Sequence, residues 1–335
     1  EAPWNGFEVA AFTVPAVQVS HTDEGTWITA TDSDEVATRE TLERWTEAIA
    51  NVDAPPGHET PPAVESTTRS TDREAWTSQV LDALDRIERG DLEKVVLAQA
   101  LTTDLSRPVD VTSTLSRLAS RYPGCYRFAF DRADGGTFFG ATPERLVAKR
   151  DTALSTEALA GSVPRGETAA EDEDYLTEMV ESGKAQREHG FVVDSIRDNL
   201  RPHAIDVRVG DQTVRRLATI QHLRTPIEAD LGPDRHVLDV VGALHPTPAV
   251  GGAPQEAACE AIRSIETFDR GWYAGPIGWF DADGDGEFAV GIRSAVARGS
   301  TVTSFGGNGI VADSDPDEEW AEVQLKLEAI RDDLR

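Results

Sequence analysis

The stretch GPIGWFDADGDGEFAVGIRSAVARGSTVTSFGG, residues 275–307, decides the fold class. Its runs of β-branched and aromatic residues are separated by DADGDG and RGS, turns too short to carry a crossover helix. Strands joined this way fold back on their neighbours as antiparallel pairs. Outward from it, further strands are expected at KVVLAQALTTDL (94–105), CYRFAF (125–130), GTFFGA (136–141), RLVAKR (145–150) and TALSTEALAG (152–161). Short strands follow near 205–209 and 213–221. Trp76, Val80, Leu84 and Ile87 recur at helical spacing, which predicts a helix over about 73–89. Others are expected at 172–200, 236–243, 254–264 and from 316. Near the N-terminus, 7–19 and 26–30 read as a strand pair around HTDEG, and 35–50 as a loose helical stripe. Residues 51–72 contain PP twice and read as a surface loop. Strands in runs with helices grouped around them indicate α+β, with antiparallel sheets packed by helices. No fixed-period repeat is visible.

Composition narrows the class. The chain has 335 residues, 60 acidic against 32 basic, and a formal charge of -28. Lys occurs at only four positions (94, 149, 184 and 326), and the other 28 basic residues are Arg. Such an acid excess with Lys nearly eliminated predicts a protein from a high-salt organism, because molar salt shortens the Debye length to about 3 Å and screens surface repulsion. Each surviving Lys then has a stronger claim to a specific role. A hydrophobic content of 39% supplies a core. No apolar run approaches membrane-helix length and no secretory signal opens the chain. Cys125 and Cys259 are too few for a disulfide framework or zinc site. Duplex nucleic acid requires a basic face, which this composition disfavours. A soluble protein of a reducing compartment, the cytoplasm, is expected. The chain opens at Glu1 without Met, so the numbering is expected to start inside a longer product.

Two motif matches lose to simpler readings. DADGDGE (281–287) begins like a calcium loop, but position 12 falls on Ile292 where a bidentate Glu is required; a hairpin turn is expected. Gly307, Gly309 and Ala312 have dinucleotide-loop spacing, yet an acidic DSDP segment precedes the next helix and is hostile to a pyrophosphate. The last helix is better defined, with Asp315-Pro316-Asp317-Glu318 at its start. Glu319, Glu322 and Lys326 share one of its faces, and Glu181, Lys184 and Glu188 share a stripe on the 172–200 helix. Two helices that each present a Glu could hold a hard cation, but in an acidic protein a solvated charged face is the commoner reading of such spacing, and spacing alone cannot bring the two helices together.

KVVLAQ (94–99), FFGATPERLV (138–147), ALAGSVPRG (158–166), SGKAQREHGFVV (182–193), HLRTPIEADL (222–231), ALHPTPAVGGAP (243–254), FDRGWYAGPIGWFD (268–281), EFAVGIRSA (287–295) and FGGNGIVADSDPDEEWAEVQLKL (305–327) follow one another in this order. Together they resemble the chorismate-utilising enzymes, most closely the isochorismate synthases, over about residues 90–330. WNGFEVAAFTVP resembles the later part of that family's N-terminal region, which implies residues upstream. The resemblance implies a single large domain over 1–335, with 1–50 the remainder of that region, 51–72 the loop and 73–335 the catalytic core. It also implies two packed antiparallel sheets, helices outside and a deep cleft. It casts Lys94 as general base and Glu144 as general acid, with Glu188, Glu322 and the nearby Glu319 as Mg²⁺ carboxylates. Arg293, Lys326 and backbone amides around Gly307 would anchor the substrate's carboxylates, and Gly161, Ser162, His222 and Tyr273 would line the rest of the pocket. Its usual state is a monomer acting on chorismate.

The implied reaction, transfer of hydroxyl from C4 to C2, needs a base to activate water and an acid to protonate the leaving hydroxyl. A base Lys must be neutral, so burial or nearby positive charge is expected around Lys94, and Glu144 needs a site that raises its pKa. Within the resemblance, anthranilate synthases carry Gln where Lys94 stands, and aminodeoxychorismate synthases carry a nucleophilic Lys where Ala160 stands. Salicylate synthases have a more hydroxyl-rich counterpart of ALHPTPAVGG. Isochorismate synthase is therefore the expected activity, feeding menaquinone or siderophore synthesis. An acidic divalent-cation scaffold is the non-enzyme alternative. Gln99 departs from the Arg usual in KVVLAR and is expected to lie off the Lys94 face.

Overall fold

The computed structural model describes residues 3–52, 60–133, 135–217 and 220–331. They fall into two compact units, one within Glu8–Glu59 and the other comprising the rest.

The smaller unit holds β1 (Val17–Thr22), β2 (Gly25–Ala30) and α1 (Glu35–Ala50). Thr22 pairs with Gly25, so Asp23 and Glu24 make the turn. The first strand is shorter than the expected 7–19 because β2 offers only six partners and Pro15 has no amide to donate. Asp34 caps α1, accepting from the amides of Val36 and Ala37.

The larger unit runs β3 (Val64–Arg69), α2 (Arg73–Glu88), β4 (Lys94–Leu105), α3 (Val111–Arg121), β5 (Tyr126–Arg132), β6 (Gly136–Thr142), β7 (Arg145–Arg150) and β8 (Ala153–Pro164). It continues through α4 (Ala169–Glu181), α5 (Gly183–Leu200), β9 (Ala204–Val209), β10 (Thr213–Arg216), β11 (Ile220–Leu231), α6 (Val237–Leu244), β12 (Gly252–Ala253) and α7 (Gln255–Ile265). β13 (Pro276–Phe280), β14 (Gly286–Val290), β15 (Ser294–Arg298), β16 (Thr301–Ile310) and α8 (Pro316–Arg331) complete it. One seven-stranded sheet has the order β10-β11-β8-β7-β14-β13, with β9 also on β11. The other has the order β12-β4-β16-β15-β6-β5, with β3 on β4. Neighbours in both are antiparallel, as the short turns require.

A main core gathers residues of both sheets, among them Ala98, Phe138, Val147, Ala158, Ile227 and Phe305. A second packs Trp76 and Val80 of α2 and Val323 and Leu327 of α8 against Val95 and Leu97. Because β4 is covered on both faces, Lys94 to Leu101 are buried without interruption, where a half-exposed strand would alternate. Gln99 shares the α8 face of β4, accepting from Gln324 at 3.3 Å, and thus lies opposite Lys94 as expected.

Four local readings need correction. The short strand expected at 213–221 is β10 and the start of the longer, twelve-residue β11, which pairs with β8. Residues 64–69 of the expected surface loop form β3, since the Thr-rich VESTTR finds the β4 edge to pair with; residues 53–59 of that loop lie outside the described residues. The single 172–200 helix is two helices, because Ser182 is extended and caps α5 by accepting from the Ala185 amide. Helix α3, absent from the sequence reading, is capped by Asp110 and buries Thr114 and Leu118. DADGDGE is a hairpin turn, with Phe280 opposite Gly286 and the Asp281 side chain accepting from two amides of the turn.

Candidate active site

Lys94 opens β4 and is 1% exposed. Its Nζ donates to Glu188 Oε1 on α5 at 2.8 Å. Burial matches the expectation for this side chain, but its close neighbour is a carboxylate rather than a positive charge. The space it fills is left by β16: a Cβ on Gly309 would stand 2.5 Å from Lys94 Cε and 3.1 Å from Glu188 Oε1. Gly309 of the dinucleotide-loop lookalike is therefore set by close approach of a side chain.

Glu144 lies in the short connection between β6 and β7, 7% exposed. Its amide donates to Thr142 Oγ1 at 3.3 Å and its carbonyl accepts from Val290 at 3.0 Å, which fixes the backbone that presents it. Burial raises its pKa to about 7; the charges of Lys94 and Lys326 oppose the rise and Glu157 adds to it. A carboxyl so placed holds a proton near neutrality and can donate it.

The polar wall is built by sheet irregularities. Leu223 pairs with Ala160 and His222 with Ser162, which leaves Gly161 as an extra residue at φ 75°. Such a bulge re-aims its neighbours, and here Ser162 Oγ and His222 Nδ1 meet at 2.8 Å. Burial, then Arg293, Lys326 and Arg215, lower the His222 pKa to about 3, so its ring stays neutral. Arg293 occupies the bend between β14 and β15 at φ 51°, a strained position for a side chain of its size. Its Nη1 reaches the Lys326 carbonyl at 3.4 Å. Lys326 Nζ pairs with Glu322 at 2.7 Å and donates to Asn308 Oδ1 at 2.8 Å and the Gly307 carbonyl at 3.1 Å. That carbonyl is available because the β15–β16 ladder stops at Ser304. Burial pushes the Tyr273 hydroxyl up to about 12, leaving it a neutral donor.

All twelve residues singled out in the sequence line one cavity of about 440 Å³: Lys94, Glu144, Gly161, Ser162, Glu188, His222, Tyr273, Arg293, Gly307, Glu319, Glu322 and Lys326. Elements of both sheets and of α5 and α8 contribute. Three further positions were not anticipated. Gly309 makes room for Lys94. Asn308 links the charged groups of α8, donating to Glu319 Oε2 at 2.6 Å while accepting from Lys326. Arg270 donates to the carbonyls of Val96 and Val250 and pairs with buried Glu266, tying β4 to the loop behind the cavity. The FDRGWYAG motif contained Arg270, but only the packing shows its partners.

The carboxylates suit a hydrated cation better than a closed protein cage. Among the described residues no three His, Cys, Asp or Glu side chains converge closely enough to hold a metal alone. Glu188, Glu319 and Glu322 nevertheless border the same cavity. Mg²⁺ commonly takes one or two carboxylates, keeps several waters and completes its shell with an anionic ligand, so the donor set fits.

Residues 1–335 match the family model described as chorismate binding enzyme. The chain belongs to the chorismate binding enzymes. It is 36% identical over 330 residues to isochorismate synthase MenF of Bacillus subtilis, covering 97% of this chain and 69% of that protein. It is 40% identical over 264 residues to the salicylate biosynthesis isochorismate synthase of Pseudomonas aeruginosa, covering 78% of this chain and 55% of the relative. Among solved structures, the menaquinone-specific isochorismate synthase MenF of Escherichia coli superposes with a TM-score of 0.86 at 30% identity, covering 96% of this chain and 75% of that one. This member of the family thus has the expected α+β fold. No helix among its described residues is long and apolar enough to cross a membrane.

Proposed function

We propose that this chain is an isochorismate synthase, converting chorismate to isochorismate. The observation that carries the reading is the pairing, in one cavity, of a buried Lys with a buried carboxyl whose pKa is raised to about 7. In the proposed step Lys94 takes a proton from water as its oxygen bonds to C2. Glu144 gives a proton to the C4 hydroxyl, which leaves as water. One water enters and one leaves, so the product is an isomer. Lys94 ends the step with an extra proton and Glu144 with one fewer, and both reset by exchange with solvent. Arg293 and Lys326 orient the substrate's carboxylates, and the neutral His222 and Tyr273 supply uncharged polar contacts.

Divalent metal is common to enzymes of this family, and we propose Mg²⁺ held by Glu188 and Glu322, with Glu319 close by. When bound it would neutralise substrate carboxylate charge. The reading extends to a monomer acting on chorismate in the cytoplasm and feeding menaquinone synthesis, with no nucleic-acid or membrane partner. From ALHPTPAVGG, Ala249 and Val250 line the cavity; this apolar wall favours isomerisation over the pyruvate elimination of a salicylate synthase.

The test is Lys94→Gln. Isochorismate formation should fall at least a hundredfold, about 2.7 kcal/mol of barrier, while chorismate still binds by calorimetry. A variant that keeps more than a tenth of the rate would remove Lys94 from the mechanism. Product identification by chromatography distinguishes isochorismate from salicylate and anthranilate.

A further inference from the structure

Beside the sheet that carries His222, an open surface pocket of about 460 Å³ lies among Tyr126, Arg145, Glu157, Arg215, Arg216 and Arg224. Four guanidiniums and one lining carboxylate meet there, in a chain whose formal charge is -28.

The hydrogen bonds show which donors are spent. Glu157, its side chain 3% exposed, accepts from Arg215 Nη1 at 2.8 Å and from Arg224 Nε. Arg215 Nη2 is used by the Gly124 carbonyl at 2.8 Å. Tyr126 gives its hydroxyl proton to Glu287 at 2.6 Å. Arg216 makes only a loose contact with Glu173 at 3.5 Å, both side chains being well exposed. Arg145 Nε is buried and has no hydrogen-bond partner among the described residues. A buried N–H left unmade is costly, and like charges gathered in a cavity repel. The repulsion is relieved if an anion with several acceptor oxygens occupies the space, because each guanidinium offers five N–H donors in a planar fork that matches paired oxygens.

We propose that this pocket binds a small polyvalent oxyanion, with at least two acceptor oxygens, at a site separate from the catalytic cavity. Its position ties it to the active site. Arg145 directly follows Glu144, and the two residues line different cavities. Glu157 precedes Ala160 of the catalytic wall by three positions on β8.

Phosphate and carboxylate ligands share this chemistry, so titration calorimetry should use inorganic phosphate and malonate in parallel. Ionic strength is held constant with sodium chloride at each addition. Because Arg293 and Lys326 also attract anions, the wild type is compared with Arg293→Ala, Arg145→Gln and Arg216→Gln, each checked by circular dichroism. Saturable binding of one or both probes should survive Arg293→Ala and weaken at least tenfold in Arg145→Gln and in Arg216→Gln. The probe that binds more tightly identifies the oxyanion source. Arg216 is exposed, so its variant judges the site even if Arg145→Gln fails to fold. Absence of saturable heat with both probes overturns the proposal. So does binding that vanishes in Arg293→Ala and persists unchanged in the two pocket variants.

Discussion

A carboxylic acid that keeps its proton at neutral pH needs a dry site, and Glu144 has one. Its pKa near 7 arises first from burial, with Glu157 adding and the two cavity lysines opposing. The sign for catalysis follows directly. Below about pH 7 most molecules carry the proton that the proposed acid role of Glu144 requires; as pH rises through that value it is lost. The pH profile of kcat/KM should therefore fall on its alkaline side near pH 7, and Glu144→Gln should lower kcat at least a hundredfold. A profile flat from pH 6 to 9 would show that another group supplies the proton. At this scale the site was well marked in the sequence, because rare residue types in ordered motifs carried the resemblance. What the sequence did not show was company: Lys94 is buried, one of the two conditions expected of a neutral base, yet its close neighbour is Glu188 at 2.8 Å.

Among elements, the approach of β16 to β4 sets the room left for Lys94. Gly309 pairs with Val96 in the ladder, and a Cβ at this position would collide with Lys94 Cε at 2.5 Å. Its φ is not in the left-handed region, so Ala costs little backbone strain, and the damage should fall on the lysine. Gly309→Ala is expected to lower kcat tenfold or more, about 1.4 kcal/mol, with the melting temperature shifted by only a few degrees. A full loss of folded protein by circular dichroism, or unchanged kcat, would contradict this account. Element types in the strand-rich core were legible because turn residues bound each run. The break between α4 and α5 was not: Glu181 and Glu188 share a helical stripe on paper, but Ser182 turns the chain between them. The bulge at Gly161 was equally hidden, since a register shift belongs to a strand pair and not to either strand alone.

For the whole molecule, the charge of -28 makes salt a reagent. Chorismate is a dianion, so long-range repulsion should slow its approach at low salt. Raising salt should first lower KM by screening this repulsion, then raise it as anions compete for Arg293 and Lys326. Arg293→Ala should raise KM at every salt concentration, because a close guanidinium–carboxylate contact is poorly screened. These measurements belong in the range where circular dichroism shows the chain folded. A KM that only rises with salt would confine the acidic surface to a role in solubility. A high-salt source accounts for the near absence of Lys and remains our proposal on composition.

Local pattern was enough to determine antiparallel strands, most helix positions and the cap at Asp315; the candidate site residues came from the ordered motifs of the resemblance. These depend on short-range sterics, turn geometry and side-chain type, all of which are written within a few neighbouring positions. Tertiary structure alone decided that Lys94 would face Glu188 across 94 positions of sequence, and that Gly309 would yield its side-chain space to that lysine. It also decided that four arginines would share one pocket with Glu157. Each is a contact between residues distant in the chain, and its energy comes from burial and partner geometry, which exist only once the sheets have packed.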